Sequence, residues 1–334
     1  MSLARAGMMA GMHAWLPLPL HADPDNQPAP FTLIRLLTAW EWSWLAAVPL
    51  LAGVVLYLWG VTALRRRGDG WPLSRTLSWL LAMAILAYCM LGPLGVYDNV
   101  LFSIHMVQHM ALGMIAPVFM SQGTPITLAL RTLPGRGRTT LLAVVHSRVA
   151  RWLLFPGLTT AAMVATPFAL YPTGLYEWTM RNDWGHDLMH VWMVSVGCAF
   201  FFPLIGADPT PWRVPYPIRI VLFFVTMPFH AFLGTTLMGA KKLVAEDWYL
   251  AFDRTWGPSP MADQYLAGGI LWATGDFTML STLTALFVGW WRESQREAAR
   301  VDRRLDREER EAARAAVGVA GDRMPPEPGP DHED

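Results

Sequence analysis

Five of the nine histidines in this 334-residue chain fall inside, or at the ends of, long apolar runs: His105, His109, His186, His190 and His230. Four of them form two pairs spaced i,i+4. On a helix that spacing stacks two imidazoles on one face about one turn apart, the arrangement by which helical metal sites present two nitrogens to one ion. Ionisable groups in a membrane interior are costly and tend to be kept for a function. The alternative is a set of neutral imidazoles, each hydrogen-bonded to a backbone carbonyl or lining a wet crevice. Methionines accompany the histidines: Met106 and Met110 beside the first pair, Met189 and Met193 around the second, and Met238. Imidazole with thioether suits Cu(I), although methionine is also a routine filler of gaps between helices. Cys89 and Cys198 stand alone, without a Cys-x-x-Cys spacing, so neither a disulfide framework nor a thiolate zinc site is indicated. Cys89 is either a soft ligand or inert packing.

Acidic groups in apolar surroundings are the second signal. Asp263 and Gln264 open the last apolar run, where Asp263 can either orient a ligand histidine from behind or cap its own helix. Asp276 lies deeper, roughly 18 Å from Gln264 along a helix axis, and reads as a paired or protonated structural acid, with a proton path as the sharper alternative.

The elements that must carry these residues are membrane spans. Hydrophobic residues make up 53% of the chain and charged ones only 16%, a balance foreign to soluble globules. A span takes about 20 helical residues, and seven apolar runs are long enough: 43–64, 76–97, 100–120, 152–172, 186–206, 218–239 and 264–291. Pro117, Pro167 and Pro228 do not exclude the assignment, because neighbouring helices can satisfy the freed carbonyls. The expected fold is an all-α polytopic membrane bundle of about seven transmembrane helices.

Arginines orient it. Arg65, Arg66, Arg67 and Arg75 follow the first run, and Arg131, Arg136, Arg138, Arg148 and Arg151 follow the third. The connections around Asp98 and around Glu177, Arg181 and Asp183 carry little positive charge. The positive-inside rule then places the N-terminus outside and the C-terminus in the cytoplasm; Lys241 and Lys242 count against this, among Glu246, Asp247, Asp253 and Asp263. With that orientation His105 and His109 lie roughly 9 and 15 Å below the outer face, His190 about 6 Å and His230 roughly 14 Å, with His186 at the surface. All five occupy the outer half.

Three segments follow: an extracytoplasmic N-terminal tail (1–42), a seven-helix transmembrane domain (43–291), and a charged cytoplasmic helix with a disordered end (292–334). The first 30 residues read as a translocated tail rather than a degenerate signal sequence ending near Ala22. From Arg292 to Ala316 arginines alternate with acids in a helical pattern, as in a solvated helix, and beyond Gly321 the composition is that of disorder. No internal repeat, Gly-rich phosphate loop or nucleic-acid motif is present, and no nucleophile has an adjacent base, so the reading is of a non-enzyme.

Five motifs in order carry a family resemblance: H-M-V-Q-H at His105–His109 with A-P at Ala116–Pro117; P-L-I-G-A-D-P at Pro203–Pro209; F-H-A-F-L-G at Phe229–Gly234; D-Q-Y-L-A-G-G-I-L-W at Asp263–Trp272; and W-W-R-E-S at Trp290–Ser294. From the first run to about Arg304 the chain resembles the seven-span cytochrome c oxidase assembly factors of the CtaG, caa-oxidase type. The resemblance implies a bacterial inner-membrane protein that matures haem-copper oxidase. It would bind copper, as Cu(I), and hand it to oxidase subunits, in contact with lipid and without nucleic acid. The family's positions fall here on His105, His109, His190 and His230, with His186 one turn before His190; Asp263, Met106 and Met110 support them. The single-span assembly factor that shares the CtaG name carries a cysteine pair on a soluble domain, and its mechanism does not transfer. A haem-binding electron carrier with two axial histidines, a copper or proton transporter, and a structural scaffold for oxidase subunits are the alternatives.

Overall fold

The computed structural model describes residues 27–321, with side chains to Glu311, and the described residues form helices and loops without a strand. The tail before Gln27 and the end beyond Gly321 lie outside the described residues, and so do the expectations of a translocated segment and of disorder there. The chain divides into two compact units, Met1–Leu283 and Thr284–Asp334. Six helices are long and apolar enough to cross a membrane: Trp44–Arg66, Leu73–Tyr97, Phe102–Thr132, Asp183–Ile205, Tyr216–Gly239 and the helix from Pro260. They coincide with six of the seven apolar runs.

The remaining run forms a helix of only 15 residues, Pro156–Leu170, roughly 22 Å long. Pro156 occupies its first turn, where a missing N–H costs nothing. The helix is shorter than the length a membrane crossing takes. The short helix before it, Arg148–Leu153, is tied to the segment beyond the fifth span, where Trp212 Nε1 donates to the carbonyl of Arg151 at 2.7 Å. The C-terminal end of Pro156–Leu170 delivers Tyr171 to His105 and His109, at the start of the third span. The third and fifth spans start at one end of the bundle and descend together, and this short apolar helix lies between them in the chain.

Contacts along the helices fix their sense. His105 faces His186, Gly113 faces Gly197 and Met120 faces Cys198, so the third and fifth spans run parallel. Gly234 faces Gly268 and His230 faces Gly275, so the sixth and seventh run antiparallel. Both crossings are close. A Cβ on Gly234 would lie 2.7 Å from the Gly268 carbonyl oxygen, and a Cβ on Gly197 would strike the Gly113 carbonyl and come within 2.6 Å of Pro117 Cγ.

The third span is not a regular helix. Phe102–Met110 is α-helical, Ala111–Ile115 is a π-helical turn, and Ala116–Gly123 is α-helical again. Pro117 has no N–H to offer the Gly113 carbonyl, and its ring would press on that group in an α-helix. Widening the preceding turn absorbs the conflict, and such π turns recur at functional sites. Two aspartates from distant parts of the chain start the segments on either side. Asp263 accepts from Phe102 N at 2.7 Å, from Ser103 N at 3.3 Å and from Ser103 Oγ. Asp208 accepts from Ile126 N at 3.1 Å and Thr127 N at 2.7 Å, at the head of the helix Pro125–Thr132. Burial raises the Asp208 pKa, against the lowering effect of these hydrogen bonds.

The helix from Pro260 continues unbroken to Gly321. The charged segment is therefore helical, and Arg304 Nε meets Glu308 at 2.8 Å, one turn on, as the i,i+4 spacing favours.

Candidate metal centre

The turn before the third span buries an acid. The short helix Pro93–Tyr97, started by its own proline, leads into Asp98 and Asn99, which are 0% and 1% exposed. Among the described residues neither Asp98 oxygen accepts a hydrogen bond. Its neighbours are imidazoles: Oδ2 lies 3.3 Å from His186 Nε2 and 3.5 Å from His190 Nε2. One ligand atom each from Asp98, His105 and His186 lie within 4.8 Å of one another. A buried carboxylate without donors is unfavourable unless a cation compensates it, and two imidazoles at this range complete a donor set for a metal ion.

The spans place these groups by their caps. Asp263 anchors Phe102 and Ser103, which puts His105 one turn into the third span. Asn182 opens the fifth span, and its carbonyl takes the His186 N–H at 2.9 Å. His190 is oriented by a chain: Gln108 Nε2 donates to the Cys89 carbonyl at 2.9 Å, which turns Gln108 Oε1 toward His190 Nε2 at 3.0 Å. Accepting there requires a proton on His190 Nε2, so His190 donates to Gln108, with Asp98 Oδ2 3.5 Å away.

Tyr171 joins the first histidine pair. Its hydroxyl lies 3.2 Å from His105 Nε2 and 2.5 Å from His109 Nδ1. One hydroxyl carries one proton, so it donates to one imidazole and accepts from the other. The other His105 nitrogen, Nδ1, is buried with no hydrogen-bond partner. Aromatic rings close the cluster from water. His105 packs on Tyr176 with ring centroids 4.9 Å apart, and the Tyr176 and Tyr249 hydroxyls meet at 2.6 Å. Burial pushes both phenols well above their ordinary range and keeps them neutral. A groove of about 400 Å³ between the first, second and fifth spans reaches His190, with Asp187 and Met90 on its wall.

Of the five histidines, His105 and His186 converge on Asp98, and His190 adjoins it. His109 connects through Tyr171. His230 stands elsewhere: its Nδ1 meets the Thr226 carbonyl at 3.2 Å, and it shares with His109 the wall of a small cavity. Met106 and Met110 are buried but line neither that cavity nor the groove. Asp263 holds the histidine helix by its backbone, neither capping its own helix nor touching an imidazole. Asp276 Oδ2 accepts from Trp272 Nε1 at 2.9 Å, and Oδ1 is buried without a partner. Asp98, Tyr171 and Gln108 escaped the sequence reading. Asp98 had one signal, an acid between two apolar runs with no arginine or lysine nearby; Tyr171 and Gln108 had none.

Comparison with known proteins assigns the family. The description of the cytochrome c oxidase caa3 assembly factors (Caa3_CtaG) matches residues 55–293, well over half of the chain. An uncharacterized protein of Mycobacterium bovis and one of Mycobacterium tuberculosis are each 40% identical to it over 289 residues. One of Mycobacterium leprae is 34% identical over 286 residues. Each alignment covers 84% of this chain and 43% of the relative, so the chain spans less than half the length of these proteins. No solved structure matches. The chain belongs to the caa3 assembly-factor family.

Proposed function

From membership of a family that assembles cytochrome c oxidase, we propose that the chain binds copper inside the membrane and hands it to the oxidase subunits. Asp98, His105 and His186 hold the ion, and His190 lies beside the carboxylate. The observation that carries this reading is the Asp98 side chain, 0% exposed, with no hydrogen bond to either oxygen among the described residues and imidazoles at 3.3 and 3.5 Å. Imidazole and carboxylate also suit zinc, iron and nickel; copper is favoured because a haem-copper oxidase is what the family serves. The metal is cargo, so a site of mixed neutral and anionic donors, open to ligand exchange, fits better than a closed thiolate cage. The groove at His190 supplies the approach.

The arginine bias supports an outward-facing site in a bacterial inner membrane, where copper for the oxidase is supplied. The test is metal analysis of the purified protein beside Asp98→Asn and His105→Ala, together with the copper content of the oxidase in the same membranes. Both variants lose bound copper, and the oxidase accumulates copper-deficient. Equal copper in wild type and both variants overturns the assignment.

A further inference from the structure

The structure assigns a second ligand site, of different chemistry, below the first: His109, His230, Met114, Met163 and Met193 surround a cavity fitted to a single Cu(I) ion. These residues come from the third, fifth and sixth spans and the short helix Pro156–Leu170, and line a void of about 20 Å³. One water-sized body needs about 10–15 Å³ by this kind of measure, so the cavity holds one small occupant. The inference rests on the copper reading above and adds a second position to it.

Three observations point to a ligand rather than to a packing flaw. The first is the void itself. Methionine is the most adaptable filler of apolar gaps, and interiors are otherwise closely packed, yet Met114, Met163 and Met193 are all at least 94% buried and still leave this space open. The second is the state of the imidazoles. Among the described residues His230 Nδ1 meets the Thr226 carbonyl at 3.2 Å; donating there, Nδ1 carries the proton and the lone pair is on Nε2. A backbone carbonyl behind the protonated nitrogen is the usual support of a metal-ligating histidine. His109 Nδ1 lies 2.5 Å from the Tyr171 hydroxyl; when it donates there its lone pair is on Nε2, and its Cδ2 edge, next to Nε2, faces Gly113 on the cavity wall. The third is the π turn, Ala111–Ile115, which supplies Gly113 and Met114 to the wall.

Two imidazole nitrogens with thioethers form a soft, neutral donor set that selects Cu(I) over the divalent ions accepted by carboxylate and imidazole. Asp98 belongs to the other cluster, and no carboxylate lines the cavity. The two sites are joined by one side chain, Tyr171, hydrogen-bonded to His105 on one side and His109 on the other. Copper thus has a carboxylate–imidazole station and an imidazole–thioether station within the same histidine helix, one turn apart.

The test uses the full-length protein in detergent, titrated anaerobically with Cu(I) against a chromophoric Cu(I) chelator, with X-ray absorption at the copper edge. Variants are His186→Ala, which impairs the first site, and Met163→Leu with Met193→Leu, swaps that conserve volume and leave the fold intact. Cu(I) bound by His186→Ala shows sulfur neighbours. The methionine double variant keeps only Met114, so its sulfur signal falls sharply and Cu(I) binding weakens by roughly tenfold or more, the scale on which metal sites respond to lost support. Copper bound by the wild type with nitrogen and oxygen neighbours only, indifferent to the methionine swaps, overturns the second site and leaves the first standing. A wild-type protein that binds no copper overturns both.

Discussion

At the scale of residues, the site is governed by where single protons sit. Tyr171 has one hydroxyl proton and two imidazoles within reach. When it donates to His109 Nδ1, His105 must donate from Nε2, and the unpartnered His105 Nδ1 has its lone pair free for a ligand. When it donates to His105 instead, His109 gives its proton to the phenol oxygen and presents Nε2. Each orientation readies one histidine and disables the other. Tyr171→Phe removes this exclusion, so the purified variant should bind more Cu(I) per chain than the wild type under identical titration. An unchanged stoichiometry means that the hydroxyl does not couple the two imidazoles. The sequence showed the histidine pairs but none of this, because the tautomer of each ring is set by Tyr171, Thr226 and Gln108, residues with no chemical signature of their own in an apolar run.

Elements carry the next level of control, and here the sequence was legible in outline and silent on partnership. Hydropathy and span length located all six helices long enough to cross a membrane and the short apolar helix Pro156–Leu170, because burial in lipid leaves an unbroken apolar run whatever the tertiary contacts are. It could not say that Asp263 caps a helix 160 residues earlier in the chain: a local rule assigns a cap to the helix that the residue itself opens, and only the packed bundle brings the seventh span to Phe102. Asp263→Ala removes acceptors from two backbone N–H groups and a hydroxyl. Cap losses cost about 1–2 kcal/mol, so the variant should melt earlier in detergent and lose copper affinity, while Asp263→Asn, which keeps an acceptor, recovers part of both. The crossing at Gly197 is less forgiving. Any side chain there must displace the Gly113 carbonyl and Pro117 together, in the π turn that forms the wall of the lower cavity. Gly197→Leu overpacks this crossing at a cost of about 1–3 kcal/mol or more, and the expected result is a lower melting temperature with sulfur coordination lost before nitrogen coordination.

For the whole molecule, the question is which way the bundle faces, and the answer decides whether the site can serve an oxidase from the outside. The starts of the third, fifth and seventh spans share one end, since His105 meets His186 and Asp263 meets Phe102. The arginines of the first and third connections lie at the other. Arg131 sits near Asp69, at 3.7 Å, and stacks with Arg75 on the Trp71 ring, 5.8 and 5.1 Å from its centroid; the two connections that carry most of the positive charge therefore meet in one patch. The positive-inside rule counts such arginines near span ends, and their convergence means that they act as a single determinant, opposite the histidines. Single cysteines settle the orientation. With Cys89 and Cys198 replaced by alanine, a cysteine at Asp69 should resist a membrane-impermeant thiol reagent in intact cells and react after permeabilisation. One at Thr173, beside the histidine end, should react in intact cells. The reverse pattern would turn the copper site toward the cytoplasm and remove the outward handover, while leaving the geometry of both ligand clusters as it is.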